Sequence, residues 1–172
     1  MSTTLYEATV ERFIQTLTGV EGFLERGVAH CTESGVDPQS IVETRLWSDM
    51  APFRFQVVSV AHHSLGAIEG VRQGLFTPPR TATETYEDLQ ALVSRTRAAL
   101  EQLSREEVNA LEETPLIFRL GEREIPFLGA GFLLSFSLPN FYFHATTAYD
   151  ILRSQGAPLG KRHFTGPLRT RT

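Results

Sequence analysis

The chain has 172 residues and one cysteine, Cys31, so an internal disulfide is impossible and a reducing, cytoplasmic compartment is expected. Its N-terminal stretch, MSTTLYEATVERF, carries early acids in place of a basic region followed by an apolar one, and no secretory signal is expected. The longest apolar run, around Phe132, is interrupted by Ser135, Ser137, Pro139, Asn140 and His144, which argues against a membrane span. Positive charge is not in excess: the net charge is −4, which speaks against a nucleic-acid partner. Reaction signatures are missing as well. The sequence contains no GxxxxGK(S/T) phosphate loop, no GxSxG elbow, no HExxH pair, no dinucleotide fingerprint and no zinc knuckle.

What remains is an ordinary globular composition, 41% hydrophobic and 21% charged. A chain of this size buries roughly two thirds of its unfolded surface and needs no staple. One helical domain over residues 1–166 is expected, followed by a basic tail, 167–172, with Arg169 and Arg171. There are neither internal repeats nor low-complexity segments.

Four long helices follow from the periodicity. Thr4 and Glu7 have the spacing of a capping box, and Val10, Phe13, Leu17, Val20, Leu24, Val28 and Cys31 continue at helical intervals to a stop near Gly35. Asp37-Pro38 opens a short helix to about Glu43. Asp49 is placed to cap a second long helix that buries Phe53, Val57, Val60, Ala61, Ala67, Ile68 and Val71 and ends near Gly74. Leu75 to Thr83, with Pro78-Pro79, reads as an extended surface linker. A third helix starts at Thr85 with Asp88, and Ser104 with Glu107 begins a further short turn.

The segment PLIFRLGEREIPFLG alternates apolar and polar residues about a Gly121-Glu122 turn, which predicts a small β-hairpin whose second strand, holding Pro126, is an edge. From Phe132 to Gln155 the pattern predicts one long buried helix with apolar residues nearly all round, so neighbours must cover it. Pro139 lacks an N–H and crowds the carbonyl of Ser135, so the helix must bend or change its hydrogen bonding there. Asn140 can reach backbone groups released at such a kink. Gly156 and Pro158 end the helix.

Along these residues the chain resembles a known family. LPNFYFHATTAYDILRSQGAPLGKRHFTG looks like the C-terminal signature of the DUF1993 family, bacterial proteins of unknown function, and LYEATVERFIQTL, RLWSDM and AHHSLGAIEGV are similar to its other stretches. That family is grouped with the DinB/YfiT-like bundles. The resemblance implies an all-α, DinB-like four-helix bundle in up-down-down-up order with a long crossover, commonly dimeric, and implies no characterised activity. DinB-like proteins often hold a divalent metal through one histidine on the second helix and a His-xxx-His pair on the fourth. Here the second helix offers His62 and His63 and the fourth offers His144, but Ala148 and Asn140 stand where the second imidazole of the pair would fall.

The candidate metal residues are therefore His63, His62 and His144, for zinc or nickel, with a carboxylate such as Asp49 as a possible third donor. The plainer expectation for His144 is a core histidine bonded to a carbonyl or hydroxyl. His62 and His63 point about 100° apart on a helix, so at most one faces His144. Asn140, Tyr149 and Trp47 are candidates for lining a ligand cavity, although such aromatics more often belong to a core or an interface. Cys31 has no CxxC companion and reads as a small core residue. The GKRHF segment reads as a solvated basic tail. The leading functional expectation is a non-catalytic or small-molecule-binding homodimer. Its rival is a divalent-metal-dependent hydrolase or transferase using His144 with His62 or His63.

Overall fold

The computed structural model describes residues 3–80, 82–168 and 170, and the expected basic residues Arg169 and Arg171 lie outside the described residues. The first long rod consists of α1 (Leu5–Ala8) and α2 (Val10–Ser34). Thr4 and Glu7 form the capping box, each satisfying the other's backbone N–H. The rod is offset at Thr9, whose hydroxyl donates to the Leu5 carbonyl at 2.6 Å. It stops at Gly35, whose φ of +66° is open to glycine at little cost. Asp37 then accepts from the Gln39 N–H at 2.9 Å and starts a single 3₁₀ turn, Pro38–Ile41, shorter than expected.

The second rod is built from α3 (Phe53–Ala61), a π turn (His62–Gly66) and α4 (Ala67–Gln73), which closes on Gly74. Asp49 does not cap it. Pro52 occupies the cap position in an extended conformation and has no side chain able to accept. The preceding Ala51 is also held away from helix by the proline ring, so the helix begins four residues after Asp49. Asp49 sits instead in the turn closed by the Met50 N–H on the Trp47 carbonyl, 3.0 Å.

Leu75–Phe76 is not a loose linker. It forms β1, which pairs in parallel with β2 (Pro115–Leu120), and β2 pairs antiparallel with β3 (Arg123–Leu128) in the order β1-β2-β3. Phe76 is buried, and that burial draws the chain into the sheet where the Pro78-Pro79 signal alone predicts a surface strap. Pro126 lies on β3, an edge strand, opposite Ile117 of β2, where a missing N–H costs least. Between β1 and β2 run α5 (Tyr86–Glu101) and the short α6 (Arg105–Asn109), each opened by a complete capping box, Thr85 with Asp88 and Ser104 with Glu107.

The fourth rod leaves β3 directly as α7 (Gly129–Phe132), passes through a second π turn (Leu133–Ser137) and continues as α8 (Leu138–Ser154). The π turn lies just before Pro139, so the missing N–H is absorbed by a widened turn rather than a break. Asn140 donates to the Phe136 carbonyl at 2.7 Å, as expected for a backbone group loosened there. The rod is not covered all round: Phe143 is 57% exposed and Leu134 42%.

Mostly helical packing surrounds one core. α2 lies against α5 and α8, and α3 against α5 and α8. Phe13, Phe23, Phe53, Phe132 and Phe141 are fully buried, and Phe13 meets Phe141 edge-to-face at 4.8 Å. Each such ring contributes about 1.5–3 kcal/mol through burial. The chain does not leave the domain at Leu159. Ala157 and Leu159 are buried, and α9 (Lys161–Thr165) returns to α2, where Gln15 donates to the Thr165 carbonyl at 3.0 Å. The approach is close enough that a Cβ on Gly19 would stand 2.3 Å from the Phe164 carbonyl oxygen. Within GKRHF it is Phe164, against Tyr149 at 6.0 Å, that anchors the segment, so this part is not a solvated tail.

Candidate functional site

The two π turns place the histidines. Each turn widens its helix and loosens carbonyls that polar side chains then satisfy: Ser64 donates to the Val60 carbonyl at 2.8 Å, and Ser137, on the fourth rod, donates to the carbonyl of His63 at 2.8 Å. This sets the His63 ring beside α8. The His63 and His144 rings lie 5.6 Å apart and nearly parallel, at 13°. Phe76 and Phe136 close on His63 at 5.5 and 5.6 Å.

His144 is oriented by a side chain with no part in the sequence-based expectations. Gln56, 2% exposed on α3, donates from Nε2 to the Ala51 carbonyl at 2.8 Å, which turns its Oε1 toward His144. That oxygen accepts from His144 Nδ1 at 2.8 Å, so Nδ1 carries the hydrogen and Nε2 keeps a lone pair. A glutamine in the apolar stretch FRFQVVSVA was the available signal, since a polar group at a buried helical position must have partners.

Both imidazoles are neutral near pH 7. Burial pushes His63 down to about 3, helped by His144 and then His62, and burial with His62 pushes His144 down to about 4. His63 Nδ1 is buried and has no hydrogen-bond partner among the described residues. His62 also lies near the pair, its ring 5.6 Å from that of His63, but its Nε2 is engaged away from it. Its ring stacks on Phe76 at 4.3 Å, its Nε2 donates to the Thr77 carbonyl at 2.7 Å, and burial lowers its pKa.

This arrangement falls short of a metal centre. Zinc sites take at least three protein donors, and among the described residues no three His, Cys, Asp or Glu side chains gather to hold an ion. The pair by itself supplies two imidazoles and no third donor. Ala148, where the resemblance implies a second imidazole, is fully buried in the core. Among the described residues, His63 and His144 thus stand without the third donor that a divalent ion needs.

The other candidates do not converge on the pair. Asn140 is committed to the Phe136 carbonyl. Tyr149 packs between Phe23, at 6.1 Å, and Phe164. Trp47 is 71% exposed, in the same turn as Asp49. Phe136, in the π turn before Pro139, is packed among rings, with Phe118 and Phe132 at 4.7 and 5.5 Å. Cys31 is buried, and that burial pushes its thiol up, away from nucleophilic use.

His62 also borders an open groove. A groove of about 680 Å³ runs between the second rod and α5, roofed by residues 77–80. Val58, Ala61, Leu65, Leu92 and Ala99 supply its apolar lining, and His62, Glu69, Arg80 and Arg95 its polar edge. The His62 hydrogen bond to Thr77 holds the roof, and a Cβ at Gly66 would come within 3.2 Å of His62 Nδ1.

The profile described as "Domain of unknown function (DUF1993)" matches residues 5–165. The chain belongs to the DUF1993 family. Among solved structures, this DUF1993 chain is similar to a DinB family member protein from Shewanella denitrificans, with a TM-score of 0.80 at 22% identity over 98% of this chain and 95% of that one. At that identity the likeness establishes a shared fold. No functionally curated protein matches this DUF1993 chain. Among its described residues no helix is long and apolar enough to cross a membrane.

Proposed function

We propose that this protein is a non-catalytic, ligand-binding helical bundle whose site is the groove between the second rod and α5, rather than the histidine pair. The observation that carries this reading is the groove itself, about 680 Å³ with an apolar lining and a few polar groups at its edge, the composition expected of a small-molecule site. The reading includes an up-down-down-up order of the four rods, a cytoplasmic location in keeping with the lone Cys31, and a homodimer supported by the exposed Leu134 and Phe143. Native mass spectrometry of the freshly purified protein is the test. A dimer mass carrying a bound small molecule is expected. A clean monomer mass, with no stabilisation by any of a panel of apolar small molecules, overturns it.

A divalent-metal hydrolase or transferase using His144 with His62 or His63 is the second reading. In its favour stands one observation, two neutral imidazoles with the His63 Nδ1 unpartnered. The missing third donor weighs against it. Elemental analysis separates the two. Near-stoichiometric zinc or nickel that is lost in His144→Ala would bring the second reading forward.

A further inference from the structure

The charges around the groove point to the chemical class of its ligand. Among the described residues, ion pairs engage Arg54, Arg72, Arg97, Arg105 and Arg119. Arg80 and Arg95 line the groove, and neither has an ion-pair partner among the described residues. They come from different elements, Arg80 from the roof and Arg95 from α5, and the one acid on the lining is Glu69. The lining thus carries two cations against one anion, above an apolar floor, and outside the lining Asp88, two turns earlier on α5, feels the charge of Arg95.

A guanidinium offers a fork of donors that fits a carboxylate, and a low-dielectric wall strengthens the attraction. His62 adds no competing charge. Its Nε2–H is committed to Thr77, burial lowers its pKa, and its Nδ1 is left as an acceptor near Gly66. An unattached inorganic anion would leave Val58, Leu65 and Leu92 uncovered, and a neutral hydrocarbon would leave both guanidinia unpaired. An amphiphile answers to both.

We infer that the groove binds a small organic anion, a carboxylate head held by Arg80 and Arg95 with an apolar body laid over Ala61, Leu65 and Leu92. The inference rests on the groove being the ligand site and adds the charge and shape of what enters it. The probes are decanoate and decanol, which share a chain and differ in head charge, titrated calorimetrically into the full-length protein.

Decanoate is expected to bind at least tenfold tighter than decanol. The R80A/R95A double variant, altered only at exposed side chains, is expected to lose at least tenfold in decanoate affinity while keeping its unfolding temperature, and Arg123→Ala on β3 is expected to lose nothing. Leu65→Glu is expected to abolish binding of both probes. Equal affinity for the two probes, or decanoate binding indifferent to R80A/R95A, overturns the anion assignment, and the groove reading survives if Leu65→Glu still removes binding. Failure of both probes to bind at millimolar concentration overturns the anion assignment and the groove reading together.

Discussion

The Ser137 hydroxyl donates a 2.8 Å hydrogen bond to the main-chain carbonyl of His63, joining two π turns that lie 74 positions apart in sequence. Both residues are buried, so this contact has no water to replace it. Ser137→Ala is expected to destabilise the fold by about 1–2 kcal/mol, the cost of an unmet buried acceptor. Urea unfolding at neutral pH measures it. A change indistinguishable from zero would show that the two turns are held together by ring packing alone.

The histidine pair makes stability depend on pH in a definite direction. The folded pKa values of His63 and His144, about 3 and about 4, lie below the ordinary value of 6.5. The unfolded chain therefore takes up protons first as the pH falls. The stability is complete above pH 6.5 and declines below it, by about 1.4 kcal/mol per pH unit for each histidine, until the folded values are reached. Unfolding free energies at pH 7.5, 6 and 5 should follow that slope, and His144→Gln should flatten it. The carboxylates of Glu7, Asp88 and Glu107, lowered by their capping partners, add a loss of the same sign only once the pH falls past their ordinary values of 4.5, 3.8 and 4.5, so the slope between pH 7.5 and 5 belongs to the histidines.

Gln56 sets the tautomer of His144, and a charge at the same place should reset its protonation. In Gln56→Glu the buried carboxylate faces Nδ1 and favours imidazolium, so the His144 pKa is expected to rise from its depressed position, traced by nitrogen-15 shifts of the ring. In the unaltered protein those shifts should show Nδ1 protonated and Nε2 bare. The opposite tautomer would mean that Gln56 is turned the other way.

The C-terminal segment is held by backbone proximity. A Cβ at Gly19 would stand 2.3 Å from the Phe164 carbonyl oxygen, so Gly19→Ala must push α9 away from α2. A loss of about 1–3 kcal/mol is expected, the usual range for overpacking. Faster tryptic cleavage after Lys161 and Arg162 should accompany it. Gly22→Ala, whose Cβ would meet nothing within 4 Å, is the control.

Local chemistry accounts for how much was legible in advance. The three capping boxes, at Thr4, Thr85 and Ser104, lie where their sequence spacing predicts, because a cap joins residues three apart and needs nothing from the rest of the chain. Gly35 and Gly74 end their helices for the same reason. Asp49 fails as a cap because Ala51-Pro52 intervenes and delays the helix, a local effect that the N-cap signal by itself overlooks. The candidate site was legible in part. The histidines of both rods were found, but Gln56, Arg80 and Arg95 drew no expectation, since their roles depend on what stands opposite them.

The sequence by itself determined the helical rods, most of their ends, the altered hydrogen bonding before Pro139 and the family, since each of these rests on short-range pattern or on likeness along the chain. Tertiary structure alone decided which histidine turns inward. Adjacent residues on a helix are equally available to either side, and the choice of His63 over His62 follows from the π turn, the Ser137 contact and the stacking of His62 on Phe76. It also decided that Leu75–Phe76 is a strand and that Arg80 and Arg95 edge a common groove. Pairing and enclosure join residues far apart in the chain, and no local periodicity encodes which distant surface they will meet.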